Sequence, residues 1–100
     1  MRSGISQEGI AVHDKGVIVE ANQALAKMFG YKLSEMTGMN ARILTTPESW
    51  KIIKKNIDKG GSHSYETVAT RKDGSTFICY LNGKPYHYKG RALRIATFRD

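Results

Sequence analysis

One hundred residues make one domain with one core. Hydrophobic residues are 40% and charged ones 25%, ordinary globular proportions, and no apolar run approaches the ~20 residues that a membrane-spanning helix needs. Net charge is +7, from 16 Lys and Arg against 9 Asp and Glu, and the single cysteine excludes an internal disulfide; with no apolar N-terminal stretch to act as a signal peptide, a cytoplasmic setting is expected.

Residues 1–7 are polar and read as a linker or a remnant of expression. Ile10-Ala11-Val12-His13 reads as a short strand, Asp14-Lys15-Gly16 as a turn, and Val17-Ile18-Val19-Glu20 as the returning strand of a hairpin. Asn22 then caps a helix, because its side-chain oxygen can accept from a free amide in the first turn. Leu25, Met28 and Phe29 give that helix one apolar face, and Gly30 ends it. Ser34 is expected to cap a very short second helix through Met36, stopped by Gly38, and residues 39–46 read as an irregular connector.

Thr46-Pro47-Glu48 opens a third helix, with proline at the first position, where no amide partner is needed, and an acid near the positive helix end. Trp50, Ile53 and Ile57 form its apolar stripe, and Gly60-Gly61 stops it. Lys51, Lys54, Lys55 and Lys59 gather mostly on the opposite side. Without interleaved aromatics they read as a solvated face, so neither nucleic acid nor a membrane surface is expected as a partner, and a basic nucleic-acid-binding module stays only a remote alternative.

Three strands follow. Tyr65–Thr70 alternates. Thr76–Leu81 puts Phe77, Cys79 and Leu81 on one face and Ile78 and Tyr80 on the other. Asp73-Gly74 between these runs is a strong hairpin signal. Tyr86-His87-Tyr88-Lys89-Gly90 leads through a turn into Ala92–Phe98, with Leu93 and Ile95 on one face. Two strands, three helices and three strands, with the helices grouped in mid-chain, predict an α+β layout with helices over one face of an antiparallel sheet.

Over residues 8–100 the chain resembles a PAS domain. The resemblance rests on Gly16-Val17-Ile18-Val19-Glu20-Ala21-Asn22-Gln23-Ala24, Phe29-Gly30-Tyr31, Ser34-Glu35-Met36-Thr37-Gly38, Arg71-Lys72-Asp73-Gly74-Ser75 and the closing Phe98-Arg99-Asp100, in the family's order and spacing. It implies a five-stranded antiparallel sheet in the order 2-1-5-4-3, short helices over one face, and a small internal cavity. It also implies a sensory or interaction role inside a larger signalling protein, often a histidine kinase, a cyclic-dinucleotide enzyme or a transcription regulator. The family's usual exit segment would begin at Asp100, so a continuation into an output domain of the same chain is expected.

Gly38-Met39-Asn40-Ala41-Arg42-Ile43-Leu44 is similar in outline to the light-oxygen-voltage photoreceptor motif, but Ala41 stands where that motif has its reactive cysteine. A photo-adduct needs a sulfur nucleophile there. Thr70 replaces that family's asparagine before the Arg-Lys-Asp-Gly turn, and the last strand has no glutamine. Haem-binding relatives commonly take an axial histidine from the third helix, where residues 47–59 have none; His63 is the one candidate nearby. Neither flavin nor haem is expected. One cysteine and no paired carboxylates give no metal-ligand spacing. Cys79 reads as a small buried hydrophobe. No nucleophile elbow, P-loop or His-Glu-x-x-His helix is present, so no catalysis is expected from this domain.

The expected role is to bind a small ligand and relay a shift. Candidate pocket residues are Met28, Leu44, Ile53, Ile57, Tyr65, Thr67, Cys79, Leu81 and Ile95; plain core packing is the simpler reading of most of them. Tyr65 and Thr67 discriminate, because a hydroxyl facing an apolar cavity needs a partner. The alternative role is a ligand-free dimerisation or scaffold module using Ile78 and Tyr80, and a homodimer is expected in either case.

Overall fold

The computed structural model describes residues 8–100; the expected linker, residues 1–7, lies outside the described residues. In chain order the elements are β1 (Gly9–Asp14), β2 (Val17–Ala21), α1 (Gln23–Phe29), α2 (Leu33–Met36), a 3-10 turn (Ala41–Leu44), α3 (Pro47–Lys59), β3 (His63–Thr70), β4 (Thr76–Tyr88) and β5 (Arg91–Arg99). The strands form one five-stranded sheet in the order β2-β1-β5-β4-β3, antiparallel at each pairing. This is the expected α+β architecture.

Side chains of a strand alternate between faces, and the register assigns them here. Phe77, Cys79 and Leu81 of β4, Ala96 and Phe98 of β5, and Ala11 of β1 join Leu25, Ala26, Phe29 and Met36 of the helices in the core. A β-bulge at Val12/His13 against β2 keeps Ile18 on this side as well, buried and paired with His13. Phe29 is the hub, with its ring 5.5 Å from Phe77 and 5.7 Å from Phe98. Gly9 lets α1 settle directly on β1: a Cβ there would stand 2.8 Å from Leu25 Cδ1.

Asn22 caps α1 as expected and also ties it to the sheet. Its Oδ1 accepts from Leu25 N at 3.0 Å and from Ile10 N at 2.9 Å. Gly30 ends the helix at φ 81°, a left-handed geometry that glycine tolerates best. The second helix departs from expectation. Ser34 lies inside it; the cap position is Lys32, whose backbone N–H donates to Glu35 Oε1 at 2.8 Å. Glu35 at the third helical position reaches back, the acidic half of a capping box. That bond, and then Lys72 at 3.0 Å, hold its carboxyl below the usual range.

The connector is more ordered than its sequence suggested. Gly38 N donates to Ile18 O at 2.7 Å, Ile18 N to Met39 O at 2.9 Å, and Ala41 N to Gly16 O at 2.7 Å. Those bonds occupy the free edge of β2. After the 3-10 turn, Thr46 N donates to Val68 O at 3.1 Å, and Val68 N to Ser49 Oγ at 3.0 Å, along β3. One segment thus satisfies backbone groups on both outer strands of the sheet.

β4 also runs past its expected end at Leu81, continuing to Tyr88. Beyond Gly83 it pairs only with β5, so Pro85 sits on a stretch whose other side is open and loses no ladder bond there.

Candidate ligand site

Between α3 and the sheet lies a cavity of about 40 Å3. α3 contributes Trp50, Ile53, Asn56 and Ile57; β1 gives Ala11 and His13, β3 His63 and Tyr65, β4 Leu81 and Gly83, and β5 Arg94, Ala96 and Phe98. Ala41 and Thr45 of the connector complete the wall. Space of this kind holds a water per ~10–15 Å3, so roughly three waters or a guest of a few heavy atoms would fit without displacing α3.

Four of the sequence candidates meet here: Ile53, Ile57, Tyr65 and Leu81. Leu44 and Cys79 are fully buried in the core without lining the cavity, and Met28 packs against that core. Ile95 is corrected outright. It pairs with Val12 and Lys84, between the inward-facing Arg94 and Ala96, and so faces the other side of the sheet. Ile78 and Tyr80 are on that outer face as expected, 55% and 51% exposed.

Thr67 is buried, and its Oγ1 has no hydrogen-bond partner. A dry, unpartnered hydroxyl is a liability of ~1–3 kcal/mol. Thr67→Val, which keeps the shape, is therefore expected to leave stability unchanged or raise it by about 1 kcal/mol in urea unfolding; because Thr67 does not line the cavity, a loss above ~1 kcal/mol would mean that the hydroxyl finds a protein or water partner in solution.

The polar groups around the cavity have defined states. His13 Nδ1 accepts from Gly16 N at 3.0 Å, so the ring proton belongs on Nε2. Burial first, then the Arg94 charge directly across the β1–β5 pair, push its pKa below the ordinary 6.5, while Asp14 pulls weakly the other way. The unfolded chain therefore binds more protons than the folded one as pH falls through 6.5. His13's contribution to stability is whole above that pH and is lost on descent toward the folded value. We expect the melting temperature to fall between pH 7 and pH 5, and His13→Asn to flatten that slope; an unchanged slope would contradict it.

Burial raises the Tyr65 pKa, with the Asn56 amide pulling back, so the phenol stays protonated. His63 Nε2 lies 2.7 Å from Gly60 O and donates to it. Cys79 is buried and its thiol is pushed up to about 11 by that burial, so it is no nucleophile at neutral pH. On the solvent face of α3, Lys54 pairs with Asp58 at 3.0 Å. Among the described residues no group of three His, Cys, Asp or Glu is placed to hold a metal ion, and no helix is long and apolar enough to cross a membrane.

Sequence reasoning missed His13, Trp50, Asn56, His63 and Arg94 as wall residues. Arg94 was within reach: Phe98 and Ala96 share its alternation, so placing Phe98 inward places Arg94 inward too.

A family model described as PAS domain matches residues 7–100. The chain belongs to the PAS family. Its sheet order and helical cover agree with solved PAS structures. The PAS domain of a Colwellia psychrerythraea protein is 20% identical, with a TM-score of 0.84 over 93% of this chain and 85% of that one. The PAS domain of a LuxR-family transcriptional regulator from Burkholderia thailandensis, in complex with ethanol, is 22% identical, with a TM-score of 0.80 over 96% and 90%. These two likenesses speak to the fold. A light-oxygen-voltage domain studied with a flavin analogue is 28% identical, with a TM-score of 0.75 over 92% and 75%. None of the curated proteins matches this chain. A PAS domain is a sensory, non-catalytic module.

Proposed function

We propose that this PAS domain is the sensory module of a larger signal-transduction protein, a histidine kinase or similar, which binds a small molecule between α3 and the sheet and relays the change to an output domain. The observation that carries this reading is the cavity itself: apolar walls from Ile53, Ile57, Leu81 and Phe98 with polar groups from His13, Tyr65 and Arg94 set among them, the usual composition of a small-molecule site. The route outward is β5, a central strand that contributes Arg94, Ala96 and Phe98 to the wall. A guest shifts such a module only if it binds two of its states unequally.

The residues do not suit the larger prosthetic groups of the family. Ala41 follows Asn40, a fused-ring flavin exceeds the space, and α3 carries no histidine for haem iron. We therefore read the guest as a small organic molecule and the setting as cytoplasmic.

A second reading is favoured by the outer face. Ile78, Tyr80 and Tyr88 are large apolar residues about half exposed on β4, an arrangement that suits a homodimer or a flanking segment. Native mass spectrometry and thermal shift against pooled metabolites test the first reading. A stabilising, co-purifying or captured small molecule is expected; silence across a broad set, with the domain dimeric, would leave the scaffold reading in its place.

A further inference from the structure

Arg94 occupies a position that the fold would ordinarily give to an apolar residue. It stands between Ala96 and the end of β5 on the helix-facing side, across from His13. Its Nε is buried with no hydrogen-bond partner, and among the described residues it joins no ion pair. No carboxylate lines the cavity. The guanidinium reaches over Gly83, where a Cβ would lie 3.3 Å from Nη2; the missing side chain gives the group its room. The guanidinium is half-buried, but its Nε–H donor is shut off without an acceptor; such a donor is costly, and on a cation the remedy is an anion with hydrogen-bonding oxygens.

The neighbouring groups have the matching polarity. His13 accepts through Nδ1, which leaves its Nε2–H to donate. The Tyr65 phenol oxygen takes the Asn56 amide as a donor and stays protonated, which leaves its O–H to donate. One fixed positive charge and two neutral donors suit one negative charge shared by two oxygens. Beside Thr45, Trp50, Asn56 and His63, the walls from Ala11, Ile53, Ile57, Leu81, Ala96 and Phe98 are carbon. A doubly charged oxyanion would leave most of its oxygens against that carbon, whereas an alkyl tail gains from it.

We propose that the cavity takes a short-chain monocarboxylate of two or three carbons, its carboxylate on the Arg94 guanidinium with His13 and Tyr65 donating, and its alkyl end against α3. The inference rests on the sensory reading above and names the class of its ligand. The ligand must be small because the space is about 40 Å3.

The test is calorimetric titration of the chain with propionate, propionamide, 1-propanol and sulfate at matched ionic strength, with the fluorescence of Trp50, the single tryptophan on the cavity wall, as a parallel signal. Propionate is expected to bind one to one, with the amide, the alcohol and sulfate each at least ~tenfold weaker, the scale of one charge-assisted hydrogen bond. Arg94→Gln should weaken propionate by about tenfold or more while leaving 1-propanol unchanged. Gly83→Ala, which retains the arginine but crowds its Nη2, should weaken propionate alone and serves where Arg94→Gln fails to fold. Equal binding of acid and alcohol, or propionate binding untouched in both variants, overturns the carboxylate assignment and leaves the sensory cavity standing. Sulfate binding as tightly as propionate overturns it in favour of a general anion site. Silence from all four probes overturns it as well, and the metabolite screen then judges the sensory reading by itself.

Discussion

Phe29→Ala is expected to remove roughly 3–5 kcal/mol of folding stability, the range for a buried aromatic cut to a methyl. Phe29 is fully buried, and its ring meets Phe77 on β4 and Phe98 on β5 at 5.5 and 5.7 Å. These contacts join α1 to two neighbouring strands, and each aromatic pair adds something beyond area. The wall around the ring also includes Leu25 and Met36, held by short helices whose ends are fixed by caps, so the void can close only in part. Against a total of about 5–15 kcal/mol for a domain of this size, the loss would take a large share of the urea midpoint. Phe29→Leu, which retains most of the apolar volume, should lose much less. A loss under ~1 kcal/mol for Phe29→Ala would show that α1 does not pack as described.

Asn22→Ala is expected to cost about 2–3 kcal/mol, more than an ordinary helix cap. Two amides share Oδ1: Leu25 N in the first turn of α1 and Ile10 N in β1. Nδ2 donates to Glu8 O at 3.0 Å. Truncation leaves the helix end uncapped and also orphans a half-buried strand amide, so the two losses come together. Asn22→Asp separates them. It retains an acceptor for both amides, adds a charge suited to the helix N-terminus, and loses only the exposed bond to Glu8. Most of the stability should return in Asn22→Asp, and amide exchange at Ile10 and Leu25 should quicken in Asn22→Ala alone. Equal losses in the two variants would contradict this account.

Most of the architecture was legible because its signals are local. Asn22, Gly30, Pro47 and Asp73-Gly74 each dictate backbone geometry through their own chemistry, and the structure places each where that chemistry predicts. The failures share a cause. Ser34 is a good cap in isolation, but Lys32 takes the position because Glu35 reaches back to its amide and Lys72, from the far hairpin, holds Glu35 in place. The order of residues 39–46 comes from the edges of β2 and β3, which are remote in sequence or come later in the chain. The length of β4 depends on β5 being there to pair with it.

The site was legible in half. Ile53, Ile57, Tyr65 and Leu81 follow from the apolar stripe of α3 and the alternation of β3 and β4. Ile95 was misplaced because the larger aliphatics of the last strand were taken to face the core. Arg94, Ala96 and Phe98 face it instead, and Leu93 and Ile95 cover the outer side. Hydrophobic alternation fails where an inward position holds a charge, which is also where a function is most readily sought.

The central claim is that the space between α3 and the sheet admits a small guest. Methyl NMR of the chain under xenon pressure tests it most directly, because xenon seeks apolar cavities whatever chemistry the natural ligand has. The account predicts saturable shifts at Ile53, Ile57 and Leu81, with Ile78 and Ile95 on the opposite face unmoved. Shifts confined to Ile78 and Ile95, or none at Ile53 and Ile57, would contradict it.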